Sequence, residues 1–228
     1  KFRKEVEEVL EKGVKKELAI MEVLKRYVKE SKNIRFEGNG YSDEWVEEAA
    51  RRGLSNLKTT PEALAVYARP ESIELFTKHG IYSKEEMHAR HEIELENYVK
   101  KIQIESRVIG DMAINHIVST SLKYQTQLVE NVKGQKEIGI DPQYYAPTIE
   151  MIKKISEYTS SIVRLQNEMT EARKEANNIE ELEEKATLYG TKVKGYFEEI
   201  RYAVDKLELI VDDDEWPLPK YRELLLIK

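Results

Sequence analysis

The sequence predicts an all-α fold, an elongated antiparallel bundle of three long helices with a preceding cluster of shorter helices and an extended C-terminal tail. Charged residues make up 35% of the 228 residues, whereas there are only ten glycines and six prolines. This profile is typical of long helices with one solvated face. Apolar residues also recur every three or four positions along stretches without proline, which is the periodicity of amphipathic helices.

Residues 1–32 are predicted to form two short helices separated near Gly13, because glycine favours the end of a helix. Each half has its own apolar stripe, which we expect to face a core. The predicted core positions are Val6, Val9 and Leu10 in the first helix, and Leu18, Met21, Leu24 and Val28 in the second.

Residues 33–82 contain most of the turn signals of the first half of the chain. Glu37-Gly38-Asn39-Gly40 reads as a turn. Ser42 is a predicted helix cap, Thr60-Pro61 predicts a second start with Thr60 as cap, and Arg69-Pro70 begins a third helix that stops at His79-Gly80. We therefore divide the chain into residues 1–82, a connector and short-helix segment, and residues 83–228, the long-helix bundle with its tail.

The first long helix is predicted from Ser83 to about Lys133. Ser83 and Glu86 have the spacing of a capping box, and the next proline is Pro142. Fifty helical residues would span about 75 Å, which suits the central helix of an elongated bundle. Its predicted apolar stripe is Leu95, Tyr98, Val99, Ile102, Val108, Ile109, Met112, Ile117, Tyr124, Leu128 and Val132.

Two more long helices follow. Asp141-Pro142 and Ala146-Pro147 are both possible starts for the second, and we favour Ala146-Pro147. Asn178 with Glu181 is the predicted cap of the third, which should end near Asp212. Trp216-Pro217-Leu218-Pro219 predicts an extended tail packed through Trp216. A fourth helix for the bundle is left open: residues 1–32 or another chain would supply it.

Composition excludes several classes of partner. The net charge of −6 gives no general attraction to nucleic acid or to an anionic membrane. No apolar run is long enough to span a bilayer, and the absence of cysteine agrees with a cytoplasmic location. Because the chain starts at Lys1 and enters directly into a helical pattern, we expect it to be a piece of a longer protein.

The histidines are the main candidates for chemistry. His88 and His91 are three residues apart on one predicted helix, with Glu85 and Glu92 nearby, so a metal site of two histidines and a carboxylate is one hypothesis. A solvated surface patch is the favoured interpretation. We interpret His79 as a helix-end residue, and His116 as a core or interface histidine because it precedes Ile117.

Other motifs for chemistry are missing from the sequence. Glu37–Tyr41 lacks the Lys-Ser/Thr of a phosphate-binding loop, and no nucleophile elbow is present. A cation site is one hypothesis for the acidic run 212–215, and a solvated helix end is the favoured interpretation. The tyrosines fall mostly on the helix stripes without a basic groove, which argues against a nucleic-acid stacking platform. We therefore assign no catalytic, cofactor-binding or metal-ligating residue.

Three runs resemble a known family. Residues 39–49 read NGYSDEWVEEA and continue into 51–61, RRGLSNLKTTP; residues 111–117 read DMAINHI; and residues 216–225 read WPLPKYRELL. In this order they closely resemble the segment that follows the catalytic domain of type III glutamine synthetases. The resemblance covers nearly the whole chain.

The resemblance implies a parent enzyme that joins ammonia to glutamate with ATP and a divalent metal ion, Mg²⁺ or Mn²⁺. It also implies assembly into two stacked six-membered rings, a dodecamer, so the partners would be the catalytic domain of the same chain and neighbouring subunits. The family's catalytic motifs do not occur here. On this interpretation, the chain is a C-terminal region with a structural, oligomerisation or regulatory role and is inactive alone.

Two alternatives remain beside this interpretation. One is a stand-alone helical-bundle adaptor that associates with itself through its apolar stripes. The other is a small metal-dependent enzyme that uses His88, His91 and a nearby glutamate.

Overall fold

The computed structural model describes residues 1–226, and within that range the chain forms helices joined by turns, without a β-strand. The all-α prediction is therefore confirmed. The chain divides into two compact units, Lys1–Lys58 and Thr59–Lys228. The predicted division at residue 82 stays a prediction.

The first unit contains α1 (Phe2–Leu10), α2 (Lys16–Glu30), a single 3-10 turn and α3 (Asp43–Arg51). Gly13 adopts a φ of 80° between α1 and α2, a conformation that favours glycine, so the predicted break is confirmed. Ser42 caps α3 as predicted, since its hydroxyl accepts a hydrogen bond from the N–H of Trp45.

The prediction of the core-facing residues of α2 was wrong, because a different face of the helix is buried. Ala19 and Val23 are buried and pack with Val6 and Val9 of α1. The four residues predicted for this core are instead exposed: Leu18, Met21, Leu24 and Val28. The helix carries two apolar stripes, and the one with the smaller side chains, Ala19 and Val23, packs on α1.

The second unit starts with two short helices, α4 (Thr60–Leu64) and α5 (Pro70–Lys78). Thr59, rather than the predicted Thr60, caps α4, and it forms a capping box with Glu62. Both α4 and α5 pack against the first long helix.

The first long helix is continuous from residue 84 to residue 137. It consists of α6 (Lys84–Asp111), a π-helical segment (Met112–Val118) and α7 (Ser119–Glu137). The Ser83–Glu86 capping box is confirmed, with Ser83 Oγ accepting from the N–H of Glu86 at 3.1 Å.

The second long helix, α8 (Pro142–Asn177), starts at the earlier of the two predicted prolines. Asp141 is its cap and accepts a hydrogen bond from the N–H of Gln143 at 2.9 Å. The preference for Ala146-Pro147 was wrong, since Pro147 lies inside the helix. So close to the helix start, Pro147 removes only the one bond to the carbonyl of Gln143, and the side-chain cap favours the earlier start.

The third long helix is built from α9 (Leu182–Leu188), a second π-helical segment (Tyr189–Val193) and α10 (Gly195–Glu208). Glu181 caps α9 by accepting hydrogen bonds from two backbone N–H groups. The prediction of Asn178 as the cap was wrong, because Asn178 is the C-cap residue that follows α8.

The three long helices run up, down and up, as predicted. α7 and α10 both pack on α8, and α9 packs on α6. Side chains from all three meet in one core, which also includes Trp216 from the tail. The residues of this core that are fully enclosed include Leu95, Ile117, Ile155, Ile162, Met169, Tyr189, Ile200 and Leu207.

Polar side chains join the three helices at one end of this core. The Tyr189 hydroxyl donates to Asn177 Oδ1 at 2.7 Å, and the Gln103 amide donates to the same oxygen at 3.3 Å. Burial raises the pKa of Tyr189 above its ordinary value, so the hydroxyl keeps its proton as a donor. Across residues 1–226, no helix combines the length and apolarity of a membrane span.

Candidate functional site

An apolar groove of about 610 Å³ lies between the first long helix, α10 and the C-terminal tail. Its floor is part of the bundle core and includes Ile117, Ile200 and Trp216. Its walls carry the apolar side chains of Ile104, Val108, Ile109, Met112, Phe197, Val204, Leu218 and Leu224. Several of these are half exposed, including Val108 at 50% and Leu224 at 50%. An open apolar groove of this size is a typical place for a ligand or a partner chain.

The first π-helical segment shapes one wall. A π turn is wider than an α turn and changes which side chains point inward, and such turns are frequent at functional sites. Here Ala113 and Ile117 are buried in the core, whereas Met112 is only partly buried and lines the groove. Gly110, just before the segment, lies against Gln166 of α8, which a Cβ would approach to 3.3 Å.

The C-terminal tail forms the other wall. Trp216 is buried as predicted, at 7% exposure. Lys220 is also buried and fixes the tail to the end of α10, where its ammonium group donates to the carbonyl oxygens of Glu208 and Val211. A short helix, α11 (Tyr221–Leu224), follows the tail and was not predicted.

Polar groups gather where α11 meets α10. Arg201 donates to the Tyr221 hydroxyl at 3.1 Å, and that hydroxyl donates to Asp205 Oδ1 at 3.2 Å. The hydrogen bond to Tyr221 raises the pKa of Arg201 above its ordinary value. The carboxylate of Glu208 accepts from the N–H of Tyr221 at 3.0 Å. Together with Glu105 on α6, the groove has three carboxylates and one guanidinium along its edges.

The acidic run after α10 has an internal role. Asp213 pairs with both Lys220 and Arg222 of the tail, and Asp212 accepts a hydrogen bond from the N–H of Asp214. Glu215 accepts one from Gln127. Residues 212–214 are exposed, as a solvated helix end predicts, and the ion pairs of Asp213 in addition connect this run to the tail.

The structure separates the predicted histidines. His88 is exposed, whereas His91 is 6% exposed and belongs to the buried face of α6. The predicted surface patch was thus wrong for His91. Its Nε2 makes no hydrogen bond and lies 3.6 Å from Glu183 Oε1. In the described part of the chain, no three His, Asp or Glu side chains are grouped to hold a metal ion.

The predictions for the other two histidines have different outcomes. His79 ends α5, as predicted. His116 lies in the π-helical segment and is exposed, so it is not a core histidine, and its interpretation as an interface histidine stays a prediction.

Sequence reasoning missed the groove itself. Ile104 and Phe197 line it, but neither stood out by its chemistry. The available signal was the resemblance, since two of its three runs, 111–117 and 216–225, lie on opposite walls of this groove.

Comparisons with known proteins cover the chain well. Residues 19–136 match the family described as "Glutamine synthetase C-terminal domain". A glutamine synthetase of Bacteroides fragilis (strain YCH46) is 47% identical over 100% of this chain and 32% of the relative. A glutamine synthetase of Butyrivibrio fibrisolvens is 35% identical over 90% of this chain and 29% of the relative. A type-3 glutamine synthetase of Dictyostelium discoideum is 29% identical over 93% of this chain and 29% of the relative. The chain thus spans about a third of the length of these relatives.

Proposed function

Because this chain belongs to the glutamine synthetase C-terminal domain family, which it matches over more than half of its length, we propose that it acts as the helical C-terminal domain of a type III glutamine synthetase. The observation that carries the proposal is the match of the whole chain, at 47% identity, to one part of a glutamine synthetase.

The proposal divides the work between two parts of the parent enzyme. The ligation of ammonia to glutamate, with ATP and Mg²⁺ or Mn²⁺, belongs to the two thirds of the relatives that this chain does not match. The present chain contributes no catalytic residue and is inactive alone.

The role of the domain in the parent enzyme is structural. Helices that share one continuous core resist bending, and here all three long helices do so. Such a body is suited to holding neighbouring parts of an assembly at a fixed distance. The partners are the catalytic domain of the same chain and neighbouring subunits of a dodecameric assembly, in the cytoplasm.

A direct test uses the isolated chain and the Bacteroides fragilis relative. Glutamine formation from glutamate, ammonia and ATP is measured with Mg²⁺ or Mn²⁺ for the isolated chain, the full-length relative and the relative shortened by the matching third. We expect no activity from the isolated chain, and a smaller assembly from the shortened relative in analytical ultracentrifugation. Glutamine formation by the isolated chain would contradict the division of roles, and an unchanged assembly would contradict the structural role.

A further inference from the structure

The groove between α6 and α10 has the dimensions of a helix-binding surface. Along the first long helix it extends from Ile104 to Ile117, which is about 20 Å at the rise of an α-helix. Three to four turns of a second helix would match that length. The volume of about 610 Å³ accommodates the apolar side chains of one helix face rather than a whole helix.

The walls of the groove leave large apolar side chains in solvent. Ile104 is 61% exposed and Val108 is 50% exposed on one wall, and Leu224 is 50% exposed at the tail. The long helices otherwise pack on one another: α7 and α10 pack on α8, and α9 packs on α6. The groove is thus a place where a fourth helix could add to the bundle.

The charged side chains along the edges of the groove determine which charge a bound helix should carry. Glu105 borders it on α6, and Asp205 and Glu208 border it on α10. The only cationic side chain among the described residues that line it is Arg201, which already bonds to Tyr221 and lies 3.7 Å from Asp205. The carboxylates are therefore in excess, which attracts a partner with basic side chains and repels an acidic one.

We propose that this groove binds an amphipathic helix of another polypeptide, with an apolar face of three to four turns flanked by lysine or arginine. Apolar anchors spaced as i, i+4 and i+7 pack between Val108, Met112 and Val204, which is the usual mode of helix recognition in a groove. The basic side chains pair with Glu105 and Asp205. This binding does not depend on the chemistry of the parent enzyme.

Synthetic 15-residue peptides provide the probe. The first has leucine at i, i+4, i+7 and i+11 with lysine on both flanks, the second replaces every lysine by glutamate, and the third is a scramble of the first. Binding is measured by fluorescence anisotropy of the labelled peptide. We expect the leucine–lysine peptide to bind at least ten times more tightly than the other two, and to weaken as salt is raised.

Variants of the chain locate the binding site. Val108→Glu places a carboxylate on the groove wall and should weaken the leucine–lysine peptide at least tenfold. Val163→Glu is the matched control, because Val163 is 40% exposed on α8 and lies outside the groove, and it should leave binding unchanged. Leu224→Glu is a second groove variant, and circular dichroism checks that each variant folds. Glu105→Gln should weaken binding less than Val108→Glu and reduce its salt dependence.

A local readout completes the experiment. In a Trp45→Phe background, Trp216 is the single remaining tryptophan and lines the groove, so its emission should shift when the peptide binds. Equal binding of the lysine and glutamate peptides, or binding that survives both groove variants, would overturn the proposal. So would binding of a small apolar dye at Trp216 by a chain that binds none of the peptides.

Discussion

The ammonium group of Lys220 donates a hydrogen bond to the main-chain carbonyl oxygen of Glu208, 2.9 Å away. A second bond, of 3.1 Å, reaches the carbonyl oxygen of Val211. The last carbonyl groups of a helix have no partner within it, and a cation is favoured there by the helix dipole. Lys220 therefore caps the C-terminal end of α10 and holds in place the tail that forms one wall of the groove.

Replacing Lys220 by methionine tests this connection. Lys220→Met keeps the length of the side chain but leaves buried carbonyl oxygens without their donor, so we expect the free energy of unfolding to fall by about 1–3 kcal/mol. Urea denaturation followed by circular dichroism measures it. Arg222→Met is the control: Arg222 binds the same Asp213 carboxylate but its side chain is 65% exposed, and a change below about 0.5 kcal/mol is expected. Equal losses in the two variants would contradict a special role for Lys220.

Gly190 and Gly134 should respond in opposite ways to a methyl group. A Cβ at Gly190 would lie 2.8 Å from the Tyr98 hydroxyl oxygen, whereas nothing lies within 4 Å of a Cβ at Gly134. Alanine is favoured over glycine within a helix by roughly 0.5–1 kcal/mol. We expect Gly134→Ala to stabilise the chain by about that amount, and Gly190→Ala to destabilise it by about 1–3 kcal/mol through overpacking.

A second substitution separates crowding from other effects at Gly190. Tyr98→Phe removes the hydroxyl oxygen that the new methyl group would meet. In thermal denaturation, Gly190→Ala should therefore cost less in the Tyr98→Phe background than in the wild-type chain. The same cost in both backgrounds would place the strain elsewhere in the second π-helical segment.

The sequence predicted that the third long helix exists, but it did not predict the π-helical segment within it. Tyr189, Val193 and Phe197 follow one another at a spacing of four, which fits the predicted amphipathic helix, and Tyr189 and Val193 are fully buried. In the structure, residues Tyr189–Val193 form a π-helical segment. Spacings of three and four fit both kinds of helix, so periodicity alone does not reveal the wider turn.

Periodicity also failed to choose between two faces of α2. Leu18 and Met21 are larger and more apolar than Ala19, but Ala19 is the residue that faces α1. Which face of α2 packs on α1 depends on how closely the two helices approach each other. The spacing of apolar residues along one helix carries no information about that distance. The groove could not be predicted from the sequence for a similar reason. It joins residues near 108 to residues near 221, which are more than a hundred positions apart in the chain.

His91→Leu should leave stability nearly unchanged. The Nε2 of His91 is buried without a hydrogen-bond partner, and replacing an unpaired polar atom by an apolar group of similar size is close to neutral. We expect the free energy of unfolding to stay within about 1 kcal/mol of the wild-type value. Met87→Ala, one turn earlier on the same buried face, should instead cost about 2–5 kcal/mol.

Metal titration completes the test at His91. Zn²⁺ or Mn²⁺ should leave the melting temperature of both the wild-type chain and His91→Leu unchanged. A rise in the wild-type chain alone would revive the metal-site hypothesis for His88 and His91.

The Glu181 carboxylate makes α9 sensitive to acid. Hydrogen bonds from the N–H groups of Glu183, at 2.9 Å, and Glu184, at 2.6 Å, lower its pKa from the ordinary value of 4.5. Because the folded pKa is the lower one, ionised Glu181 stabilises the fold above pH 4.5, and this contribution is lost as the pH falls through the folded pKa. The free energy of unfolding of the wild-type chain should therefore exceed that of Glu181→Gln at neutral pH, and the difference should shrink below pH 4.5.

Glu180→Gln, at the exposed preceding position, is the control and should show no such pH-dependent difference. A gap between wild type and Glu181→Gln that persists unchanged into acid would mean that the shape of the side chain, and not its charge, caps the helix.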